Sequence, residues 1–139
     1  MDTIREVDGF DCVGRGGRAL ENLKGKIAVI DDDLGIRTSV ERLLKLNGFE
    51  VDAYASPELF LCQDYTDVYA CLVLDVHFDG MSGLDLRKFL LKSKPNIPIV
   101  FISAEDADQI PELPADHAFL HKPFSGSLLI KTIRSVVAS

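Results

Sequence analysis

The chain has little with which to cross-link itself, span a bilayer or hold a polyanion. Only three of its 139 residues are cysteine. Cys12, Cys62 and Cys71 are scattered, odd in number and contain no C-x-x-C pair. That excludes a disulfide framework and suits a reducing cytosol. No uninterrupted apolar stretch approaches about 18 residues, so no membrane span is expected. The start Met-Asp-Thr-Ile-Arg-Glu lacks the basic opening and apolar run of a secretory signal, and a cytoplasmic location is the expectation. Basic residues are in the minority, 15 Lys and Arg against 22 Asp and Glu, for a formal net charge of −7. An acidic domain repels phosphate backbones, which argues against direct nucleic-acid binding. Internal repeats and low-complexity tracts are absent.

What is there has the proportions of one soluble domain. Apolar residues make up 47% and charged residues 27%, enough apolar surface for a single core at this length. Residues 1–25 carry five glycines and no sustained period, and they read as an N-terminal extension, partly flexible. From Lys26 onward apolar runs alternate with helical spacing. Ile27–Ile30 is short and wholly apolar, as a strand buried on both faces requires. Ile36, Val40, Leu43 and Leu44 recur at helical spacing, and Asn47-Gly48 ends that helix. Phe49–Ala53 alternates as a strand. Ser56-Pro57 reads as a helix cap followed by proline at the first helical position. Cys71–Leu74 is a third strand, Leu84 to Leu90 a third helix, Pro98–Ile102 a fourth strand and Ala118–Leu120 a brief fifth. Leu128 to Val137 closes the chain as a helix. Strands alternating with helices predict a parallel sheet covered on both faces, with residues 26–139 forming the domain.

In such sheets ligands gather at the carboxyl ends of the strands. The residues just past each apolar run therefore carry the information. Asp31, Asp32 and Asp33 follow the first strand, Asp75 the third, Ser103 and Ala104 the fourth, and Lys122 the fifth. Clustered carboxylates repel one another unless a cation sits among them, and Mg²⁺ prefers oxygen ligands. A carboxylate is also a nucleophile toward phosphorus. Phosphoryl transfer needs positioning and charge neutralisation, which a metal, an ammonium and a hydroxyl can supply. One loop aspartate alone would be read as a solvated surface group. The whole set, arriving in this order from successive strands, points to phosphoryl chemistry.

The residues Ile30-Asp31-Asp32-Asp33, Leu74-Asp75, Gly80-Met81-Ser82-Gly83, Ser103-Ala104 and Lys122-Pro123-Phe124 give the chain from Lys26 to Ala138 a resemblance to the receiver domain of two-component response regulators. Val29 to Asp33 followed by Arg37 is similar to the subfamily that carries a LuxR-type DNA-binding domain. The resemblance implies a (βα)5 flavodoxin-like fold with sheet order 2-1-3-4-5. It implies that Asp75 is the phosphoacceptor, with Asp32 a direct Mg²⁺ ligand, Asp31 an indirect one and the His77 backbone carbonyl a third contact. Ser103 matches the switch hydroxyl, Lys122 the lysine that meets the phosphoryl group, and Phe119 the aromatic that changes rotamer. Asp33 reads as an accessory residue near the helix start. The implied partner is a sensor histidine kinase, and homodimerisation is open to the domain. Its chemistry would be self-catalysed phosphoryl transfer and slow autodephosphorylation, so it is not expected to be a metabolic enzyme. The chain stops soon after the last helix, so an output domain is expected to lie outside it, or the protein to act as a single-domain regulator.

Two departures stand out. Asp79 occupies a position where the family commonly has proline. Pro111 and Pro114 fall between Ser103 and Lys122, and proline inside a helix costs about 3 kcal/mol. The fourth helix should therefore be short, near Glu105 to Ile110, or replaced by a loop, on a face that such domains use for partners. Two other functions stay open: a receiver-like interaction module that never turns over phosphate, and a Mg²⁺-dependent phosphatase, against which stands His77 in place of a second catalytic aspartate. Four weaker signals fail on context. Gly14 to Ala19 fits G-x-G-x-x-A without the strand and long helix that a dinucleotide site needs. Asp75 to Gly80 opens like an EF-hand, but Leu86 stands where the bidentate glutamate belongs. His117 and His121 lack a third ligand, and Arg15 with Arg18 is too sparse for a nucleic-acid patch.

Overall fold

The computed structural model describes residues 25–62, 69–93, 97–114 and 117–138. Apart from Gly25, the expected N-terminal extension lies outside them, as do the Gly14 to Ala19 string and Cys12. Strand β1 (Lys26–Ile30) leads into helix α1 (Leu34–Leu46), then β2 (Glu50–Tyr54), α2 (Pro57–Leu61), β3 (Tyr69–Asp75), α3 (Gly83–Leu90), β4 (Ile99–Ser103), β5 (Ala118–His121) and α4 (Gly126–Ala138). The five strands pair in parallel in the order β2-β1-β3-β4-β5. This is the flavodoxin-like arrangement expected from the sequence.

The two-residue period of a strand divides the core. Ile27, Val29, Cys71, Val73, Val100 and Ile102 point to the side covered by α1 and α4, where they meet Val40, Leu44, Leu129 and Ile133. Ala28, Ile30, Leu72, Leu74 and Phe101 point the other way, onto Phe60 of α2 and Leu86 and Leu90 of α3. Both sides of the central strands are dry, which is why these runs contain almost no polar residue. Among the described residues no helix is long and apolar enough to cross a membrane.

Helix boundaries follow local chemistry. The Asp33 carboxylate accepts from the Ile36 amide at 3.1 Å and caps α1. Asn47 closes that helix, and Gly48 supplies the left-handed turn with φ 91°. Ser56 caps α2 through the Leu59 amide at 3.1 Å, with Pro57 in its first turn. Between β4 and β5 the described residues hold only a 3-10 turn, Ala107–Gln109. Ile110, 5% exposed, and the half-buried Leu113 cover the sheet there instead of a helix face. The proline argument anticipated this outcome, although the turn is shorter than the Glu105 to Ile110 segment. Strand β3 begins at Tyr69, two residues before the apolar run that marked it.

Candidate functional site

Strand register assembles the site. Ile30 of β1 pairs with Leu74 of β3, so the next residue of each chain segment, Asp31 and Asp75, lies beside the other. Asp75 pairs with Ile102, and Ser103 with His121. The Lys122 amide then donates to the Ser103 carbonyl at 2.8 Å, which places Lys122 next to that strand end. The Lys122–Pro123 peptide is cis. One oxygen from each of Asp31, Asp32 and Asp75 falls within 4.8 Å of the others. Asp31 is fully buried, Asp75 is 6% exposed and Asp32 is exposed. The cluster is therefore dry on one side and open to solvent on the other.

Lys122 bridges the two buried carboxylates. Its Nζ donates to Asp75 Oδ2 at 2.7 Å and stands 3.0 Å from Asp31 Oδ2. Burial pushes the Asp31 carboxyl above the ordinary range. The Asp33 amide and the Lys122 ammonium oppose that rise, while the Asp75 charge adds to it. Burial also works against the charged form of Lys122, but Asp75 and Asp31 outweigh it and hold the ammonium above its usual value. Asp31 Oδ1 accepts from the Asp33 amide at 2.8 Å. Asp31 Oδ2 makes the ion pair but no well-aligned hydrogen bond among the described residues. A buried carboxylate oxygen left short of donors, next to two further carboxylates, fits a hard divalent cation.

The remaining sequence-marked residues fall around this centre. Ser103 is fully buried, and its Oγ accepts from the Glu105 amide at 3.0 Å. The His77 amide donates to Asp75 Oδ1 at 3.2 Å, and its ring meets Glu105 Oε1 at 2.8 Å. Phe119 is half-buried against the core half that holds Phe101 and Leu74. Asp79 is exposed. His121 pairs with Asp106 at 3.2 Å and forms no metal cluster among the described residues.

The segment Gly80 to Gly83 is a joint between elements. The Met81 amide donates to Glu58 Oε2 at 2.7 Å. Ser82 and Asp85 form a reciprocal capping box at the start of α3, with bonds of 3.0 and 3.1 Å. Hydrogen bonds to the Ser82 backbone and hydroxyl hold the Asp85 carboxyl below its usual range. A Cβ on Gly83 would fall inside the contact radius of the Asp75 carbonyl oxygen. The Gly83 amide donates to the Val76 carbonyl at 2.9 Å. Two supports carried no functional signal in the sequence. Glu58 merely follows the Ser56-Pro57 helix start. Arg37, noted only for its resemblance to a subfamily, donates from Nη1 to the Asp31 carbonyl at 2.6 Å and steadies the acidic loop from α1.

Residues 27–134 match the family described as response regulator receiver domain. The chain is 35% identical over 127 residues to nodulation protein W of Bradyrhizobium diazoefficiens, a match that covers 89% of this chain and 56% of that protein. It is 31% identical over 115 residues to the transcriptional regulatory protein TdiR of Thauera aromatica, covering 81% and 51% respectively. The chain thus spans about half the length of the curated relatives it matches. Among solved structures, chemotaxis protein CheY4 of Vibrio cholerae superposes with a TM-score of 0.74 at 25% identity, covering 81% of this chain and 98% of that one. Register, buried acidic centre and family match agree: the chain belongs to the receiver domains of two-component response regulators.

Proposed function

We propose that this receiver is a phosphorylation-activated switch in which Asp75 accepts a phosphoryl group from the phosphohistidine of a sensor kinase. The observation that carries this reading is the Asp31–Lys122–Asp75 bridge at the carboxyl edge of the sheet. Attack by an Asp75 oxygen on phosphorus forms the acyl phosphate bond while the bond to the donor nitrogen breaks, and the imidazole leaves with the electron pair. Lys122 stands within hydrogen-bond reach of Asp75 and is held cationic by its two carboxylates. It can therefore meet the negative oxygens of the transferring group. Asp32, Asp75 and the His77 carbonyl are the residues that would hold Mg²⁺, with Asp31 acting indirectly. A cation bound there neutralises phosphoryl charge.

The switch follows from charge. A phosphoryl group on Asp75 adds strong acceptors beside Ser103 and Lys122. Ser103 can exchange its bond with the Glu105 amide for one to a phosphoryl oxygen, drawing the β4 loop inward, and Phe119 is the aromatic that would follow it. In the longer protein suggested by the lengths of its relatives, the reading is transcriptional control through an output domain of the LuxR type, in the cytoplasm, with homodimerisation as the transmitted change. The 3-10 turn between β4 and β5 favours one second reading, an interaction module with a preset surface.

Incubation with acetyl phosphate followed by intact-mass measurement separates the two. With Mg²⁺ the protein is expected to gain the mass of one phosphoryl group, and with a chelator in its place to gain none. No gain under either condition would favour the interaction module. Catalytic hydrolysis of an added phosphomonoester would favour the phosphatase.

A further inference from the structure

We infer that Glu58 is a positioning residue for the metal-binding loop after β3, acting from outside the acidic centre. This rests on the reading of His77 and Asp75 as Mg²⁺ contacts. The β3–α3 loop leaves Asp75, passes His77 and re-enters α3 at Gly83, so its path sets where the His77 carbonyl lies. It is held at its near end by the His77 amide on Asp75 Oδ1. At its far end the Gly83 amide bonds the Val76 carbonyl. Two residues before Gly83, the Met81 amide is held by Glu58, which sits in the first turn of α2, 23 residues earlier.

The contact is built from both sides. Ser56 and Pro57 fix the start of α2, so Glu58 projects from an ordered first turn. The loop leaves room for it at Gly80, where a Cβ would come within 2.5 Å of Glu58 Oε2. The bond to the Met81 amide, with further hydrogen bonding to its own backbone amide and to Ser56, holds the Glu58 carboxyl below its usual range. A charge-assisted bond from a carboxylate to a backbone amide is among the stronger ones a solvent-facing side chain can make. Residues that orient metal ligands from behind typically change affinity ten- to a hundred-fold when removed. Glu58 is exposed, so the low end of that range applies.

The test compares Glu58→Ala, Glu58→Gln and Gly80→Ala by calorimetric Mg²⁺ titration, amide hydrogen exchange at Met81 and thermal melting. Glu58→Ala is expected to weaken Mg²⁺ binding about tenfold and to speed Met81 exchange, with little change in melting temperature. Glu58→Gln keeps an oxygen acceptor and should recover most of the affinity. Gly80→Ala is expected to displace the flexible Glu58 tip and copy Glu58→Ala. The two substitutions together should then do no more than either alone, because they remove the same bond. If Glu58→Ala loses Met81 protection but binds Mg²⁺ as the parent does, the positioning role is overturned and Glu58 is only a tether. Failure of the parent protein itself to bind Mg²⁺ would overturn the metal reading as well.

Discussion

Asp75→Asn is expected to take up no phosphoryl group from acetyl phosphate under conditions that label the parent protein fully. The substitution conserves volume and shape but replaces a carboxylate oxygen with an amide nitrogen, whose lone pair is delocalised and not nucleophilic toward phosphorus. The fold should survive. Lys122 keeps its ion pair with the buried Asp31, and the new carbonyl oxygen can still accept from the His77 amide or from Lys122. The net stability change should stay within about 1.5 kcal/mol, the scale of one exchanged hydrogen bond. Intact mass after incubation checks the chemistry, and a denaturant melt checks the fold. Equal labelling of the variant would mean that another side chain carries the group.

Gly83→Ala should be the most damaging single methyl that can be added to this site. Its Cβ would collide with the backbone carbonyl of Asp75, in the middle strand of the sheet. A backbone in a paired central strand cannot swing aside as a side chain does, so either α3 shifts or the end of β3 bends. Overpacking of this kind costs about 2–3 kcal/mol, a fall in melting temperature on the order of 10 °C for a domain of this size. Either movement also displaces Asp75 from Lys122, now 2.7 Å away. The phosphoryl uptake of the refolded variant should therefore fall more than its stability loss alone explains. Gly80→Ala is the natural control, because the atom its Cβ meets is the movable end of Glu58. Melts of the two variants side by side give the difference. A Gly83→Ala protein as stable as the Gly80→Ala one would contradict the close approach.

Much of this site is legible in the order of residues along the chain, for a physical reason. Parallel strands that are dry on both faces must be apolar throughout, so the first polar residue after each run marks the sheet edge. Asp31, Asp75 and Ser103 stand at such transitions, and Lys122 comes one residue later, after the exposed His121 that ends the edge strand. The caps at Asp33 and Ser56 are equally local, since a side chain and an amide three residues apart decide them.

What escapes the sequence is every contact whose partner is a distant backbone atom. Glu58 meets an amide 23 residues away, and Arg37 a carbonyl that any residue would present. The start of β3 was hidden for a different reason. Tyr69 is polar at its tip, and that tip donates to Asp52 at 2.6 Å and lies 2.7 Å from the Tyr54 hydroxyl, while Lys26 pairs with the same Asp52 at 2.9 Å. A half-buried hydrogen-bonded cluster of this kind has no periodic signature. The sequence motif around Met81 was visible, but its physical content was not. Ser82 is a helix cap and Gly83 a close approach, and both act on the shape of the loop beside Asp75.

The central claim is that the phosphoryl group arrives on Asp75, and chemical mapping of the linkage tests it most directly. Borohydride reduces an aspartyl phosphate to homoserine. The protein is phosphorylated with acetyl phosphate and Mg²⁺, reduced, digested and sequenced by mass spectrometry. Homoserine is expected at position 75 and nowhere else. An unreduced Asp75 with the label on Asp31, Asp32 or a residue outside the acidic cluster would contradict the account.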